Sequence, residues 1–299
     1  MRIATWNINS VRLRLNQVRR FLRKYQPDLL CLQETKTEDH LFPAKALANA
    51  GYPHQAIHGQ KSYNGVAIIA RIPFTQRRIQ RWCGLDDCRH ISVELNNGTE
   101  IHDLYVPAGG DEPNPDINSK FAHKLQLLRE VTDWFTSRGN EGLRAVLVGD
   151  LNIAPLETDV WSHRQLLKVV SHTPVEVDLL NRLRNSLDWT DAVRHFVPVD
   201  EKVYSWWSYR SSSLMMGRIS PAQEALSVAR WASLSRVSGR WGKSLQFSYA
   251  RAPYRGAMRF TLGIAGWRFW EKCSNWDIGL RFCIGAVEQQ SRQRVSTCS

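Results

Sequence analysis

Hydrophobic positions in the first two-thirds of the chain form short apolar runs alternating with helical stripes. Residues 2–7 (R-I-A-T-W-N) read as a short strand. Residues 29–33 (L-L-C-L-Q) and 66–70 (V-A-I-I-A) have the length and composition of buried strands. Between the first two runs, Leu13, Val18, Phe21, Leu22 and Tyr25 recur on one helical face, and Pro27 stops that helix. Residues 43–50 predict a second helix with Gly51 as its C-terminal cap. Residues 91–95 and 101–106 flank Asn97-Gly98, a pair suited to the left-handed backbone of a tight hairpin turn. Residues 120–135 place Phe121, Leu125, Leu128, Val131, Trp134 and Phe135 on one face of a long amphipathic helix. Residues 145–148 are a buried strand running into Gly149-Asp150, and residues 177–184 predict a further helix. Strands outnumber helices, and hairpin links mix with crossovers. That combination predicts an α/β layered sandwich and argues against a purely parallel sheet.

Composition adds a boundary. The 299 residues carry a net charge of +12, and the 12 Trp, 10 Phe and 8 Tyr exclude a chain disordered throughout. The charge is unevenly placed: residues 211–299 hold 11 Arg and 2 Lys against 3 Glu and 1 Asp, and no histidine. The chain therefore reads as two pieces, 1–210 and a basic Ser/Arg/Trp-rich tail, 211–299. No apolar run reaches the roughly 18 residues of a membrane span. The N-terminus lacks a signal-peptide core, and the six cysteines form no C-x-x-C pair, so a cytoplasmic location and no membrane partner are expected.

Three strand ends in the first piece finish in carboxylates or carboxamides: W-N-I-N (6–9), L-Q-E-T-K (32–36) and V-G-D-L-N (148–152). Strand ends at one edge of a layered sheet converge on one cleft, the usual ligand position in α/β folds. A cluster of Asn7, Glu34, Asp150 and Asn152 offers hard oxygen donors, which suit Mg²⁺ or Mn²⁺ and not zinc. Metal-assisted attack on a phosphate ester is the chemistry this set points to. Each residue alone has a plainer reading: Glu34 as a surface group, Asp150 as an Asx-turn former, Asn7 and Asn9 as turn residues.

The matching stretches are A-T-W-N-I-N-S (4–10), D-L-L-C-L-Q-E-T-K (28–36), G-Q-K-S-Y-N-G-V-A-I (59–68), Y-V-P-A-G-G (105–110), K-F-A-H-K-L (120–125), V-L-V-G-D-L-N-I-A-P (146–155) and Y-S-W-W-S-Y-R (204–210). On these, residues 1–210 resemble the exodeoxyribonuclease III family of AP endonucleases, within the endonuclease/exonuclease/phosphatase superfamily. The resemblance implies a four-layer α/β sandwich of two mixed sheets flanked by helices. It also implies a Mg²⁺-dependent (or Mn²⁺-dependent) DNA phosphodiester hydrolase of base excision repair, both AP endonuclease and 3′-to-5′ exodeoxyribonuclease. Its partner would be double-stranded DNA with abasic sites or 3′ ends, met by a monomer. Residue by residue, it makes Glu34 the principal metal carboxylate with Asn7 beside it. Asp150 orients or deprotonates the attacking water, Asn152 holds the phosphate or a metal-bound oxygen, and Tyr105 places its hydroxyl near the scissile phosphate. Trp206 would wall a pocket for a base-less sugar, and Lys36, Asn64 and Asn118 would contact substrate. Outside the family, Tyr105 reads as a packing aromatic and Trp206 as a core tryptophan.

The family pattern should continue past Arg210 into an Arg-Gly-x-Arg-x-Asp stretch and a near-terminal Ser-Asp-His. Residues 211–299 contain neither, and their single aspartate, Asp277 in N-W-D-I-G, matches neither. The C-terminal part of the fold is therefore expected to be incomplete or aberrant, with sheet edges left unpaired. The leading explanation is an out-of-frame translation of the gene's 3′ end. A basic DNA-binding extension and a fused unrelated domain, supported by alternation at Phe247/Tyr249 and Phe260/Leu262/Ile264, are the others. Two functions of other classes stand beside the nuclease: a catalytically defective DNA-binding chain, and a phosphatase of lipids or small phosphates. Tyr105 and the 204–210 stretch argue against the phosphatase.

Overall fold

The computed structural model describes residues 1–139 and 143–203, together with the backbone of three short strands at 233–234, 245–249 and 284–287. The order of elements is β1 (Arg2–Asn7), α1 (Leu15–Tyr25), β2 (Leu29–Gln33), α2 (Ala44–Ala48), β3 (His54–His58), β4 (Val66–Ala70), β5 (Phe74–Arg78), β6 (His90–Leu95) and β7 (Thr99–Tyr105). There follow α3 (Ser119–Arg138), β8 (Arg144–Asp150), α4 (His163–Leu166), α5 (Pro174–Asn185), β9 (Thr190–Asp191), β10 (Ser233–Leu234), β11 (Leu245–Tyr249) and β12 (Ile284–Val287).

Two mixed six-stranded sheets result, in the orders β12-β11-β1-β2-β4-β3 and β5-β6-β7-β8-β10-β9. β1 and β2 run parallel, as do β7 and β8, while β2–β4 and β6–β7 are antiparallel. Side chains alternate across each strand, so each sheet has two buried faces. Ile3, Leu29, Cys31, Ile68, Ile101 and Val146 fill the layer between the sheets. Trp6, Leu30, Leu32 and Ile69 turn outward against Val18, Phe21 and Leu22 of α1 and Leu47 of α2. On the far side, Leu104 and Leu147 meet Phe121, Leu128 and Phe135 of α3 and Leu179, Leu180 and Leu183 of α5. Helices, sheet, sheet and helices make the four layers.

The outer edge of β1 is not open: β11 pairs with it in parallel, from Arg2↔Gln246 to Thr5↔Tyr249. Likewise β10 pairs with β8. The expectation of bare edges is corrected at these two positions, because residues 245–249 and 233–234 supply backbone partners. Positions 260–264, where strand alternation was also expected, lie outside the described residues. No helix among the described residues is long and apolar enough to cross a membrane.

Candidate active site

The inter-sheet layer changes character along its strands. Positions facing it read Ile3–Thr5–Asn7 on β1, Leu29–Cys31–Gln33 on β2, Ile101–Asp103–Tyr105 on β7 and Val146–Val148–Asp150 on β8. The first members belong to the apolar core, and the last are polar. β1 and β2 are parallel, as are β7 and β8, so their polar C-terminal ends gather at one edge of the sandwich. Gln33 Nε2 crosses between the sheets, donating to Thr5 Oγ1 (2.9 Å) and Asp103 Oδ1 (2.6 Å). That buried network underlies the polar strand ends. Burial pushes the Asp103 carboxyl well above its ordinary pKa, against the hydrogen bonds from Gln33 and the backbone at Ala67 and Leu32.

Beyond this network, Asn7 Nδ2 donates both to Glu34 Oε1 (2.7 Å) and to Asp150 Oδ2 (2.6 Å). One carboxamide thus ties a carboxylate of each sheet to the other. The Tyr105 hydroxyl donates to the same Glu34 Oε1 (3.0 Å), and Lys36 Nζ pairs with Glu34 Oε2 (2.9 Å) while donating to Asn9 Oδ1 (2.7 Å). Burial by itself would raise the Glu34 pKa. Hydrogen bonds from Asn7, Lys36 and Tyr105 and the Lys36 charge outweigh it and hold the carboxyl below its ordinary value. The carboxylate is therefore charged throughout the neutral range.

Local backbone geometry aims these groups. Glu34 (φ 53), Lys36 (φ 51), Asn9 (φ 47) and Asn152 (φ 51) all take the left-handed conformation directly after their strands. Each strand is thereby broken off sharply at the cleft. For a residue such as Glu34 this costs roughly 1–2 kcal/mol, which the surrounding hydrogen bonds offset. Gly149 (φ 143) lies so close to the Leu104 carbonyl that no Cβ fits there, which fixes glycine ahead of Asp150. Asp150 Oδ1 accepts the Asn152 amide (3.0 Å), and Asn152 Nδ2 donates to the Val106 carbonyl (2.8 Å).

The structure thus brings Asn7, Glu34, Tyr105, Asp150, Asn152 and Lys36 together. Asn64 sits beside them: its backbone carbonyl accepts the Lys36 amide (2.9 Å), and its Nδ2 donates to the Asp87 carbonyl (2.8 Å). Asn118 is the N-cap of α3, accepting from the Lys120 and Phe121 amides, and its Nδ2 ties down the Gly109 carbonyl at 2.9 Å. Trp206 lies outside the described residues. At the Glu34–Asn7–Asp150 bridge the Asn7 carboxamide turns its nitrogen to both carboxylates and its Oδ1 to the Asn9 amide (3.2 Å), so the oxygen donors facing one another there are the two carboxylates, the ligand type that fits a hard divalent cation such as Mg²⁺.

Three supports escaped the sequence reading. Arg89 lays its guanidinium over the Tyr105 ring at 5.0 Å, and its carbonyl accepts the Tyr105 amide at 2.7 Å. Asp103 is the second. The third is Lys124, fully buried, which donates to the Asn152 carbonyl (2.8 Å) and pairs with the fully buried Glu176. A lysine between Phe121 and Leu125 on an apolar helix face, and an aspartate in the inward register of a strand, were the available signals.

A family model described as the endonuclease/exonuclease/phosphatase family matches residues 4–220. Exodeoxyribonuclease III of Haemophilus influenzae is 27% identical over 226 residues, covering 71% of this chain and 81% of that protein. Among solved structures, the 3′ phosphatase NExo from Neisseria bound to product DNA hairpin superposes with a TM-score of 0.66 at 29% identity, covering 78% of this chain and 86% of that one. An AP endonuclease from Archaeoglobus fulgidus gives 0.65 at 29% identity, with 78% and 85% covered.

Proposed function

Because the chain belongs to the endonuclease/exonuclease/phosphatase family, we propose that its core is a DNA-repair phosphodiesterase of the exodeoxyribonuclease III type, acting on duplex DNA at abasic sites and 3′ ends. The observation that carries this reading is the Asn7 bridge between Glu34 and Asp150, with the Tyr105 hydroxyl on the same Glu34 oxygen. When bound, Mg²⁺ (or Mn²⁺) would offset the charge of the phosphodiester and of the transition state. Glu34, Asn7, Asp150 and Asn152 are the groups that would hold it. Asp150 orients or deprotonates the attacking water, its position fixed by the Asn7 and Asn152 contacts. Tyr105, held by Arg89, presents its hydroxyl toward the scissile phosphate. Lys36 and Asn64 line the approach to the site, Asn118 shapes its rim through the Gly109 loop, and the resemblance assigns Trp206 the wall of the sugar pocket. The reading includes a monomer working in the cytoplasm.

This particular chain is impaired in our reading. The resemblance places a catalytic histidine and two aspartates after Arg210, and residues 211–299 offer no histidine and only Asp277. A defective, DNA-binding chain from a frameshifted gene is the second reading, and the nucleotide sequence past the Arg210 codon tests it. A shifted frame encoding the missing Asp and Ser-Asp-His motifs would establish it.

The core itself is tested with a chimera carrying the family's usual ending after Arg210. We expect Mg²⁺-dependent nicking of an abasic duplex that falls on the order of 10²-fold or more in Asp150→Asn. A folded chimera that nicks equally well with and without the substitution would sink the assignment.

A further inference from the structure

We propose that His58, Asp86 and Cys88 form a second cation site, separate from the acidic cleft, which takes a borderline transition-metal dication of the zinc class. One ligand atom from each lies within 4.8 Å of the other two. His58 Nε2 and Asp86 Oδ1 are 3.5 Å apart. In a tetrahedral site with bonds of about 2.0–2.3 Å, neighbouring donors are roughly 3.3–3.8 Å apart. The His–Asp edge already has that length, and the remaining edges, at most 4.8 Å, close with a shift of about 1.5 Å or less. Imidazole, thiolate and carboxylate together are the donor set of zinc and its neighbours, whereas Mg²⁺ prefers all-oxygen shells.

The three ligands have different freedoms. His58 ends β3, a strand paired along β4. Cys88 is buried, takes the left-handed conformation (φ 51) and is anchored through its carbonyl to the Gly65 amide (3.1 Å). Asp86 is exposed, and its Oδ2 meets Arg81 at 3.0 Å, which leaves Oδ1 directed at His58. Two fixed donors and one adjustable carboxylate allow the cage to close, with solvent as the fourth ligand. Burial keeps the His58 imidazole below its ordinary pKa, so it is neutral and able to ligate. Burial and the carboxylates of Asp86, Asp39 and Asp87 push the Cys88 thiol up to about 11. A bound dication reverses that balance, and one thiol proton passes to solvent for each cation taken up.

The site would clamp the loop between β5 and β6 onto β3. That loop runs directly into Arg89, which stacks on Tyr105. Through the Cys88 carbonyl it also leans on Gly65, whose own carbonyl holds the Thr35 amide next to Glu34. The second cation is therefore a brace for one wall of the cleft. The inference does not depend on the nuclease reading.

The test uses the full chain, stripped with chelator and titrated with Co²⁺ in excess Mg²⁺. We expect one equivalent to produce a thiolate charge-transfer band and strong visible tetrahedral bands, displaced by Zn²⁺. Affinity should drop at least about tenfold in Cys88→Ser, His58→Gln and Asp86→Ala, the last at an exposed position where folding is not at issue. Glu34→Gln should retain the spectrum. Absence of a thiolate band overturns the proposal. So does a band undiminished in Cys88→Ser, or affinity unchanged in both His58→Gln and Asp86→Ala.

Discussion

Glu34 combines a strained backbone with a carboxylate that three neighbours hold ionised. Its charge, not its shape, is what a dication would use. Glu34→Gln keeps the shape and the Tyr105 contact, so it should weaken Mg²⁺ binding by more than Asn7→Ala, which removes a dipole. Calorimetric titration of both variants checks this, and equal losses would count against Glu34 as the main ligand. Asp103, one layer below, works in the opposite sense. Burial raises its folded-state pKa well above the unfolded value of 3.8. A raised carboxyl pKa favours the fold below the unfolded value, and that contribution is lost as pH rises toward the folded one. Asp103→Asn is neutral at every pH and keeps an acceptor for Gln33. Its stability relative to the parent should therefore increase from pH 5 to pH 8, by at most about 1.4 kcal/mol for each pH unit. Urea unfolding at the two pH values reads this directly, and a constant difference would mean Asp103 is already ionised in the fold.

Elements were legible where a pattern had one interpretation. The strand at 29–33, the hairpin around Asn97-Gly98 and the helix over 120–135 were read from run length, turn chemistry and a 3.6-residue stripe, and they match Leu29–Gln33, His90–Leu95 with Thr99–Tyr105, and Ser119–Arg138. β3 and β5 were missed because H-Q-A-I-H and F-T-Q-R-R carry too little apolar signal. β3 borders one sheet and β5 is an edge whose last four residues are exposed, so polar side chains are no obstacle there. The cleft residues were legible as strand ends, but their supports were not, since a buried lysine looks like a solvated one in sequence. Lys124 of α3 and Glu176 of α5 show why that matters. The pair joins two helices, and both residues also hold the loops beneath Asn152: Lys124 through the Asn152 carbonyl, Glu176 through the Ser171 and Thr173 amides. Lys124→Met would leave a buried carboxylate without its cation, at a cost of about 3–5 kcal/mol. Lys124→Met/Glu176→Gln should be less destabilised than Lys124→Met alone, because the second change removes the stranded charge. A double-mutant cycle by chemical denaturation measures the coupling, and strict additivity would show the two residues acting independently.

At the scale of the whole molecule, the core and the segment after Arg210 differ in kind. The core gathers carboxylates and carboxamides at one edge of two packed sheets, and the proposed phosphodiester hydrolysis calls for a group that stabilises charge on the phosphate. By resemblance that group is a histidine held by an aspartate, and residues 211–299 hold no histidine. What they hold instead is 11 Arg, 2 Lys and interleaved tryptophans, a composition that attracts phosphates without regard to sequence. Removing one transition-state group commonly costs on the order of 10²–10⁴ in rate, and on the proposed reading several are missing together. The unmodified chain should therefore bind DNA and leave it uncut. Binding to a labelled abasic duplex should weaken steeply with salt, with several counterions released, and should be as tight for an intact duplex. Nicking in Mg²⁺ should stay near background under conditions where the chimera with the family's usual ending cuts. Robust Mg²⁺-dependent nicking by the unmodified chain would refute this. It would direct attention to Asp277, the one aspartate in those residues, as the group that had taken over the role.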